Sequence, residues 1–527
     1  MTDKLQALKT YFGHDGFREG QEALCDALLS GRDALGIMPT GAGKSVCYQL
    51  PALLLPGVTL VISPLISLMQ DQVAALKAAG IPAAYLNSSL TPAQMSLAMR
   101  RAGEGAYKLI YVAPERLETP SFRDLCRRMP VSLVAVDEAH CVSQWGQDFR
   151  PDYLRIAAFI GSLPVRPPVG AFTATATARV REDILSLLGL RDPVRAVTGF
   201  DRPNLFWDII PISRHRVFVL LHMLERLRGQ CGIVYCATRK DTEAVCEALR
   251  KDGHRALRYH AGLSEDERRE NQEAFQYDRC DVIVATNAFG MGIDKPNVRF
   301  VIHYNMPKSI EAYYQEAGRA GRDGDPALCA LLFSKQDIVT ARWLIENGEK
   351  NPDLSAEEQT RVYRQDMARL RSMIRYSEAR GCCRAALLGY FGEPAAPRCG
   401  GCSVCAGTLF PDAQAITQAA KPPKRKAAPK PAPRLVRTGE APSDLAPADE
   451  ALFEALRLCR AELARRRGVP AYVICHDRTL REIAAKKPHT LSDLGDVYGL
   501  GESKIRSFGP ELLRALSEAT GRSPTDG

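Results

Sequence analysis

LVAVDEAH, residues 133–140, runs four apolar residues straight into two adjacent carboxylates. An apolar run without polar alternation marks a strand whose sheet is covered by helices on both faces. Asp137 and Glu138 then stand at the carboxyl end of a buried strand. Burying one charge is costly, and burying two without a cation is worse, so the pair implies a metal ion beside it. The same pattern recurs in TLVIS (59–63), KLIYVA (108–113), VGAFTAT (169–175), GIVYCAT (232–238), DVIVATN (281–287) and RFVIHYN (299–305). Helical patterns lie between these runs, as in SLMQDQVAALKAAG (67–80), which closes on a C-cap glycine. Strand and helix in alternation indicate doubly wound α/β structure. Residues 30–340 are too many for one such domain, and GFDRPNLFW (199–207) reads as the joint between two.

The bulk numbers fit this picture. The chain has 527 residues, 46% hydrophobic and 25% charged, ordinary values for a globular protein of several domains. A net charge of +9 leans weakly towards a polyanionic partner. No apolar run approaches the ~18 residues of a membrane span, and MTDKLQALKTYFG has no signal-peptide core. The expectation is a cytoplasmic protein with no membrane partner. Most of the 16 cysteines sit singly in apolar surroundings and read as small buried hydrophobes.

Composition shifts after residue 405. KPPKRKAAPKPAPRLVR (421–437) carries seven basic residues, five prolines and no acid, the composition of an extended linker. Helical periodicity returns from Ala448 to about Thr520, with ALFEALRLCRAELARRRG (451–468) as an amphipathic helix and GLGESKIRSFG (499–509) as a glycine turn entering another. The expected domains are 1–205 and 206–340, both α/β, a cysteine-bearing module at 341–410, a linker at 411–447 and a small all-α domain at 448–520.

Four stretches carry chemistry. MPTGAGKS (38–45) can wrap phosphate in the backbone N–H groups around Gly41 and Gly43, with Lys44 on the terminal phosphates and Ser45 on Mg²⁺. Met38 stands where the general pattern has glycine. Asp137 is placed to hold the same Mg²⁺ and Glu138 to activate the attacking water, which together point to nucleotide hydrolysis. QEAGRAGRDG (315–324) sets Arg319 and Arg322 three residues apart, suited to charge on a transferring phosphoryl group. GCCRAALLGYFGEPAAPRCGGCSVC (381–405) holds C-x₂-C-x₂-C at Cys399, Cys402 and Cys405, and a fourth thiolate completes a tetrahedral Zn²⁺ site. Cys382 and Cys383 are both available, and neighbours on a helix diverge too far for both to face one metal.

With FREGQ (17–21), SPLISLMQDQV (63–73), YVAPERL (111–117), HCVSQWGQDFRP (140–151), FTATAT (172–177), FDRPNL (200–205), YHAGL (259–263) and ATNAFGMGIDKPNVR (285–299) added in order, the chain resembles the RecQ family of DNA helicases, within the DEAH-type superfamily 2. The resemblance covers the chain up to about residue 410 and resumes over its last 80 residues. It implies two RecA-like parallel-sheet domains, then a small helical zinc-binding module and a C-terminal all-α HRDC-like domain. It implies 3′-to-5′ unwinding driven by ATP and Mg²⁺, with structural Zn²⁺, in recombination, repair and the SOS response. Gln21 with Arg18 would recognise adenine. Thr173 and Thr175 would couple the nucleotide site to the rest of the machine. Arg319 and Arg322 would reach the ATP, and which of them is the finger stays open. Trp145 and Phe149 would stack on bases, Arg150 would meet a phosphate, and Ser63 and Asn87 would lie on the DNA track. Gln147 departs from the histidine usual there. Cys382 matches the family's zinc ligand. Lys504 and Arg506 would be auxiliary DNA contacts. Implied partners are single-stranded and branched DNA, acted on by a monomer, with a single-strand-binding protein to be considered. Only about 40 residues separate Cys405 from the last domain, too few for the winged helix of ~100 residues that many relatives carry, so duplex recognition is expected to differ. A wider-superfamily RNA helicase and a strand-annealing scaffold are the competing readings.

Overall fold

The computed structural model describes residues 3–145, 149–289, 295–348, 355–419 and 447–520. Gln147 and the basic Pro-rich segment 421–437 lie outside them. The chain divides into two compact units. One takes the residues up to Gly199 together with the C-terminal helical domain, and the other starts at Phe200 and includes the cysteine module.

The first unit is built on β1 (Ala34–Ile37), β2 (Val58–Ile62), β3 (Ala83–Leu86), β4 (Leu109–Val112), β5 (Val131–Val136), β6 (Val169–Thr173) and β7 (Val194–Val197), in the all-parallel order β3-β4-β2-β5-β6-β1-β7. β1, β2, β4 and β6 are buried throughout, as strands covered on both faces must be. The second unit holds β8 (Leu205–Pro211), β9 (Gly232–Tyr235), β10 (Ala256–Tyr259), β11 (Val282–Ala285), β12 (Phe300–His303) and β13 (Ala327–Phe333), in the parallel order β10-β11-β9-β12-β13-β8.

Six strands escape the sequence reading. β3, β7, β8 and β10 are edge strands, and β7 alternates partly buried with exposed residues instead of forming an apolar run. β1 is four residues long and contains Gly36, whose missing Cβ admits the Phe172 ring. β8 includes the Leu205–Trp207 segment read as part of the joint; it pairs with β13 along its whole length.

The C-terminal domain is helical, with Pro447–Arg467, Asp477–Lys486 and Glu502–Thr520 packed around Leu456, Ile474, Leu480, Ile483 and Leu512. It docks on the first twenty residues through backbone as well as side chains. Gly499 N–H donates to Gly13 O at 2.7 Å, His14 stacks on Tyr498 with ring centroids 4.8 Å apart, and Arg18 Nη2 donates to Tyr498 Oη at 3.1 Å. A Cβ on Gly501 would come within 2.5 Å of Thr10 O. This docking changes the reading of Lys504: it is partly buried, burial lowers its pKa, and its charge is poorly placed for DNA. Arg506 stays exposed.

Candidate functional site

The strand order carries the site. β1 lies between β6 and β7, and β5 lies between β2 and β6, so their carboxyl ends open at one edge, where ligands bind in doubly wound sheets. Register then places the functional groups. Ile37 pairs with Thr173, Ile62 with Val136, Met38 N–H donates to Thr173 O at 3.0 Å and Asp137 N–H to Ile62 O at 2.8 Å.

The phosphate loop leaves β1 at Met38. Gly41 and Gly43 have φ of 86° and 83°, a region in which side chains are strained. A Cβ on Gly43 would stand 2.6 Å from Gln21 Nε2. Ser45 caps the helix Val46–Leu54, and the loop's N–H groups and that helix end form an anion cradle. Lys44 Nζ donates to Met38 O at 3.3 Å. Gln21 and Arg18 brace the loop from outside: Gln21 Nε2 donates to Ala42 O and Gly43 O, both at 3.1 Å, Gln21 Oε1 accepts from Arg18 N–H at 2.8 Å, and Arg18 Nη1 donates to Gly41 O at 2.5 Å. The glutamine is buried, so it ties the phosphate loop to the chain that precedes it.

Asp137 and Glu138 follow β5. Burial, together with the neighbouring Glu138 carboxylate, pushes the Asp137 carboxyl up to about 7, the behaviour of a group whose cationic partner arrives with the substrate. Glu138 adopts a left-handed backbone with φ of 46°, a strain that clusters at functional positions. Its Oε2 lies 3.3 Å from His140 Nδ1, which lies 2.8 Å from Thr173 Oγ1. Thr173 Oγ1 in turn accepts from Thr175 N–H at 3.3 Å. Burial disfavours the charged imidazole, but Cys141 and Glu138 outweigh it and hold His140 well above the ordinary histidine range. A continuous polar chain therefore links Glu138 to Thr173 and Thr175.

The first aromatic of the next segment, Trp145, lies five residues beyond His140. Trp145 N–H donates to Ser143 Oγ at 3.0 Å, and Ser143 Oγ donates to Asp183 Oδ2 at 2.5 Å on the helix Ala178–Leu187. Arg150 N–H donates to Cys141 O at 2.9 Å and Arg150 Nη1 to Pro64 O at 3.1 Å. Trp145, Phe149 and Arg150 are partly exposed. Ser63 and Asn87, expected on the DNA track, are fully buried. The Asn87 Oδ1 accepts from Ser89 N–H at 3.1 Å and Ser89 Oγ at 2.7 Å, so these two shape loops behind the surface and present no side chain to a strand.

In the second unit, Arg319 and Arg322 lie in the turn after the helix Ile310–Ala317. Sequence reasoning missed what holds that turn. Arg202 is buried and donates from Nη2 to Ala320 O at 2.9 Å and Gly321 O at 2.8 Å, and from Nη1 to Gly318 O at 3.3 Å. Asn204 Nδ2 donates to Gly321 O and Asp325 O, both at 2.9 Å. Nothing in GFDRPNLFW, where Asp201 and Asn204 are polar as well, singled Arg202 out.

The cysteine module closes on β8. Cys382, Cys399, Cys402 and Cys405 bring their sulfurs within 4.8 Å of one another, as four thiolates with Zn–S bonds of about 2.3 Å require. Cys382 caps the helix Cys383–Tyr390, and its sulfur accepts from Ala385 N–H at 3.4 Å. Backbone hydrogen bonding, that of Cys399 foremost, brings the Cys405 thiol down to about 7, towards the thiolate a metal needs. Cys383 is buried outside the cluster, and burial pushes its thiol up to about 12. The residues fit Zn²⁺, and Cys382, not Cys383, is placed as the fourth thiol of the cluster.

Comparison with known proteins accounts for each part. Family models for DEAD/DEAH box helicase match residues 18–184, helicase conserved C-terminal domain 215–324, RecQ zinc-binding 335–406 and HRDC domain 449–516. The chain is 37% identical to the ATP-dependent DNA helicase RecQ of Bacillus subtilis, over 97% of each chain. It belongs to the RecQ family. A second RecQ relative, from Pasteurella multocida, is 35% identical over 98% of this chain and 93% of its own. The RecQ-like DNA helicase blm-1 of Caenorhabditis elegans is 43% identical over 73% of this chain and 39% of its own. The alignment with the B. subtilis RecQ runs to 587 positions, more than the 527 residues of this chain, so that relative has residues with no counterpart here. Among solved structures, Mss116p bound to single-stranded RNA and AMP-PNP has a TM-score of 0.55 over 74% of this chain and 89% of its own at 17% identity. Dbp5 of S. cerevisiae bound to RNA and ADP BeF₃ has a TM-score of 0.52 over 70% of this chain and 97% of its own at 19% identity. At these identities the likeness is one of fold. No helix among the described residues of this RecQ is long and apolar enough to cross a membrane.

Proposed function

We propose that this RecQ protein is an ATP-dependent 3′-to-5′ DNA helicase, acting on single-stranded and branched DNA in recombination and repair. The observation that carries the reading is the polar chain from Glu138 through His140 to Thr173, on the same short segment as Trp145. Lys44 and the loop amides would take the phosphates of ATP, and Ser45 and Asp137 would hold Mg²⁺, which neutralises charge on the transferring group. Glu138 would orient the water and take its proton, with Arg319 or Arg322 steadying the phosphoryl charge. Arg18 and Gln21 would sense adenine from their seat on the phosphate loop. A base on Trp145 or Phe149, with Arg150 near its phosphate, would shift the aromatic segment and hence Glu138, so hydrolysis follows DNA contact. Action as a monomer in a cytoplasmic, nucleoid-associated setting, alongside a single-strand-binding protein, completes the reading.

The test is strand separation on partial duplexes with a 3′ tail, a 5′ tail or none. Unwinding restricted to the 3′-tailed duplex, and lost in Lys44→Ala, is the expected result. DNA-stimulated hydrolysis without strand separation on any of them would overturn the helicase reading in favour of a translocase.

A further inference from the structure

The indole of Trp145 already has a partner. Arg179 Cζ lies 3.4 Å from the centroid of its ring, in van der Waals contact with the face that a base would use. Arg179 is exposed and sits in the first turn of the helix Ala178–Leu187, directly after the Thr173–Thr177 segment. Asp183, one turn further along the same face, receives the Ser143 hydroxyl at 2.5 Å. One helix thus grips the aromatic segment at two points, one through its backbone-supporting serine and one through its stacking surface.

We propose that Arg179 is the resident occupant of the Trp145 stacking face, and that a DNA base gains its stack by displacing it. The inference rests on the reading of Trp145 as a base contact. A guanidinium and a nucleobase are both planar and both favour the electron-rich indole face. They compete for one surface. An exposed cation–arene contact is weak enough for a stacked base to replace it, yet strong enough to set a threshold. The released side chain has a seat nearby. Arg179 lines a pocket of about 400 Å³ with Arg181, Glu182 and Arg195, and Glu182, which holds Arg195 Nη1 at 3.6 Å through one oxygen, lies three residues along the helix, within reach of an i,i+3 pair as well. Swapping Arg179 from Trp145 to Glu182 detaches the aromatic segment from the helix that follows Thr175. DNA binding would thereby loosen the coupling segment and fill the stacking face in one event.

The test is the concentration of a short oligo-dT that half-saturates ATP hydrolysis by the full-length protein. Arg179→Ala lowers that concentration about two- to five-fold, the size of an exposed cation–arene contact. Arg179→Lys, which keeps the charge and loses the planar stack, falls on the side of alanine. In a Trp145→Ala background, Arg179→Ala has no further effect. A rise in the half-saturating concentration in Arg179→Ala, restored by Arg179→Lys, would make Arg179 a phosphate ligand and overturn the proposal; so would no change. If Trp145→Ala alone leaves the DNA response intact, Trp145 is not the DNA contact, and the underlying reading fails with the proposal.

Discussion

Replacing Arg202 with alanine tests how the arginine turn is held. The guanidinium is buried and serves three carbonyls, those of Gly318, Ala320 and Gly321. A hydrogen bond to a charged donor contributes about 1.5–3 kcal/mol, and leaving a buried acceptor unmet costs a similar amount. Asn204 still reaches Gly321 O, and water enters the vacated space and serves part of the rest. A net loss of about 3 kcal/mol in the second unit is expected, too little to unfold it and enough to let residues 318–322 move. Displacing a catalytic group by about 1 Å costs on the order of 100-fold in rate. If Arg319 and Arg322 act on the phosphoryl group, kcat for DNA-stimulated hydrolysis falls on the order of 100-fold while the Kd for nucleotide, set in the first unit, stays put. The assay pairs steady-state hydrolysis with equilibrium binding of a fluorescent nucleotide and a thermal melt. Retention of more than half of kcat in a folded Arg202→Ala protein would refute the reasoning, because the turn would then hold its arginines without Arg202.

Two further outcomes follow from the cysteine module and the N-terminal segment. Cys382→Ser should lose bound zinc, measured by metal analysis, and lower the melting temperature of the second unit, whereas Cys383→Ala should keep zinc and cost only about 1–2 kcal/mol, the range of an ordinary core change; zinc loss in the second variant alone would reverse the ligand assignment. Burial, with repulsion from Arg18, lowers the pKa of His14 to about 4, against an unfolded value near 6.5. The neutral ring therefore contributes its full stability above pH 6.5, and the contribution is lost at up to about 1.4 kcal/mol per pH unit as pH falls towards 4. His14→Phe, which can still stack on Tyr498, should flatten the wild-type decline in melting temperature between pH 6.5 and 4, and an unchanged slope would show that His14 is not the titrating group.

The site was legible in the sequence wherever chemistry constrains residue type. Lys44, Asp137 and Glu138 could be placed because a phosphate loop and a strand-end acid pair admit few substitutes. The four zinc cysteines were nearly so, with the choice between Cys382 and Cys383 left to the cap geometry that turns one sulfur inward. What the sequence could not give is set by register. The Ile37–Thr173 and Val136–Ile62 pairings bring distant segments together, and no local pattern encodes them. Ser63 and Asn87 were placed on the track by the family resemblance alone, and packing buries both. Edge strands such as β7 and β10 lack the unbroken apolar run that revealed the central ones. Arg202 and Arg179 were invisible for a different reason: each contacts carbonyls or a ring contributed by another part of the chain.

The docking of the last domain on the first twenty residues makes the second unit, topologically, an insertion. The polypeptide leaves the first body near Gly199, builds a whole second body with its zinc cluster, and returns to finish the first. The first and last described stretches of the chain are thereby held in one body, with Gly499 N–H on Gly13 O closing it.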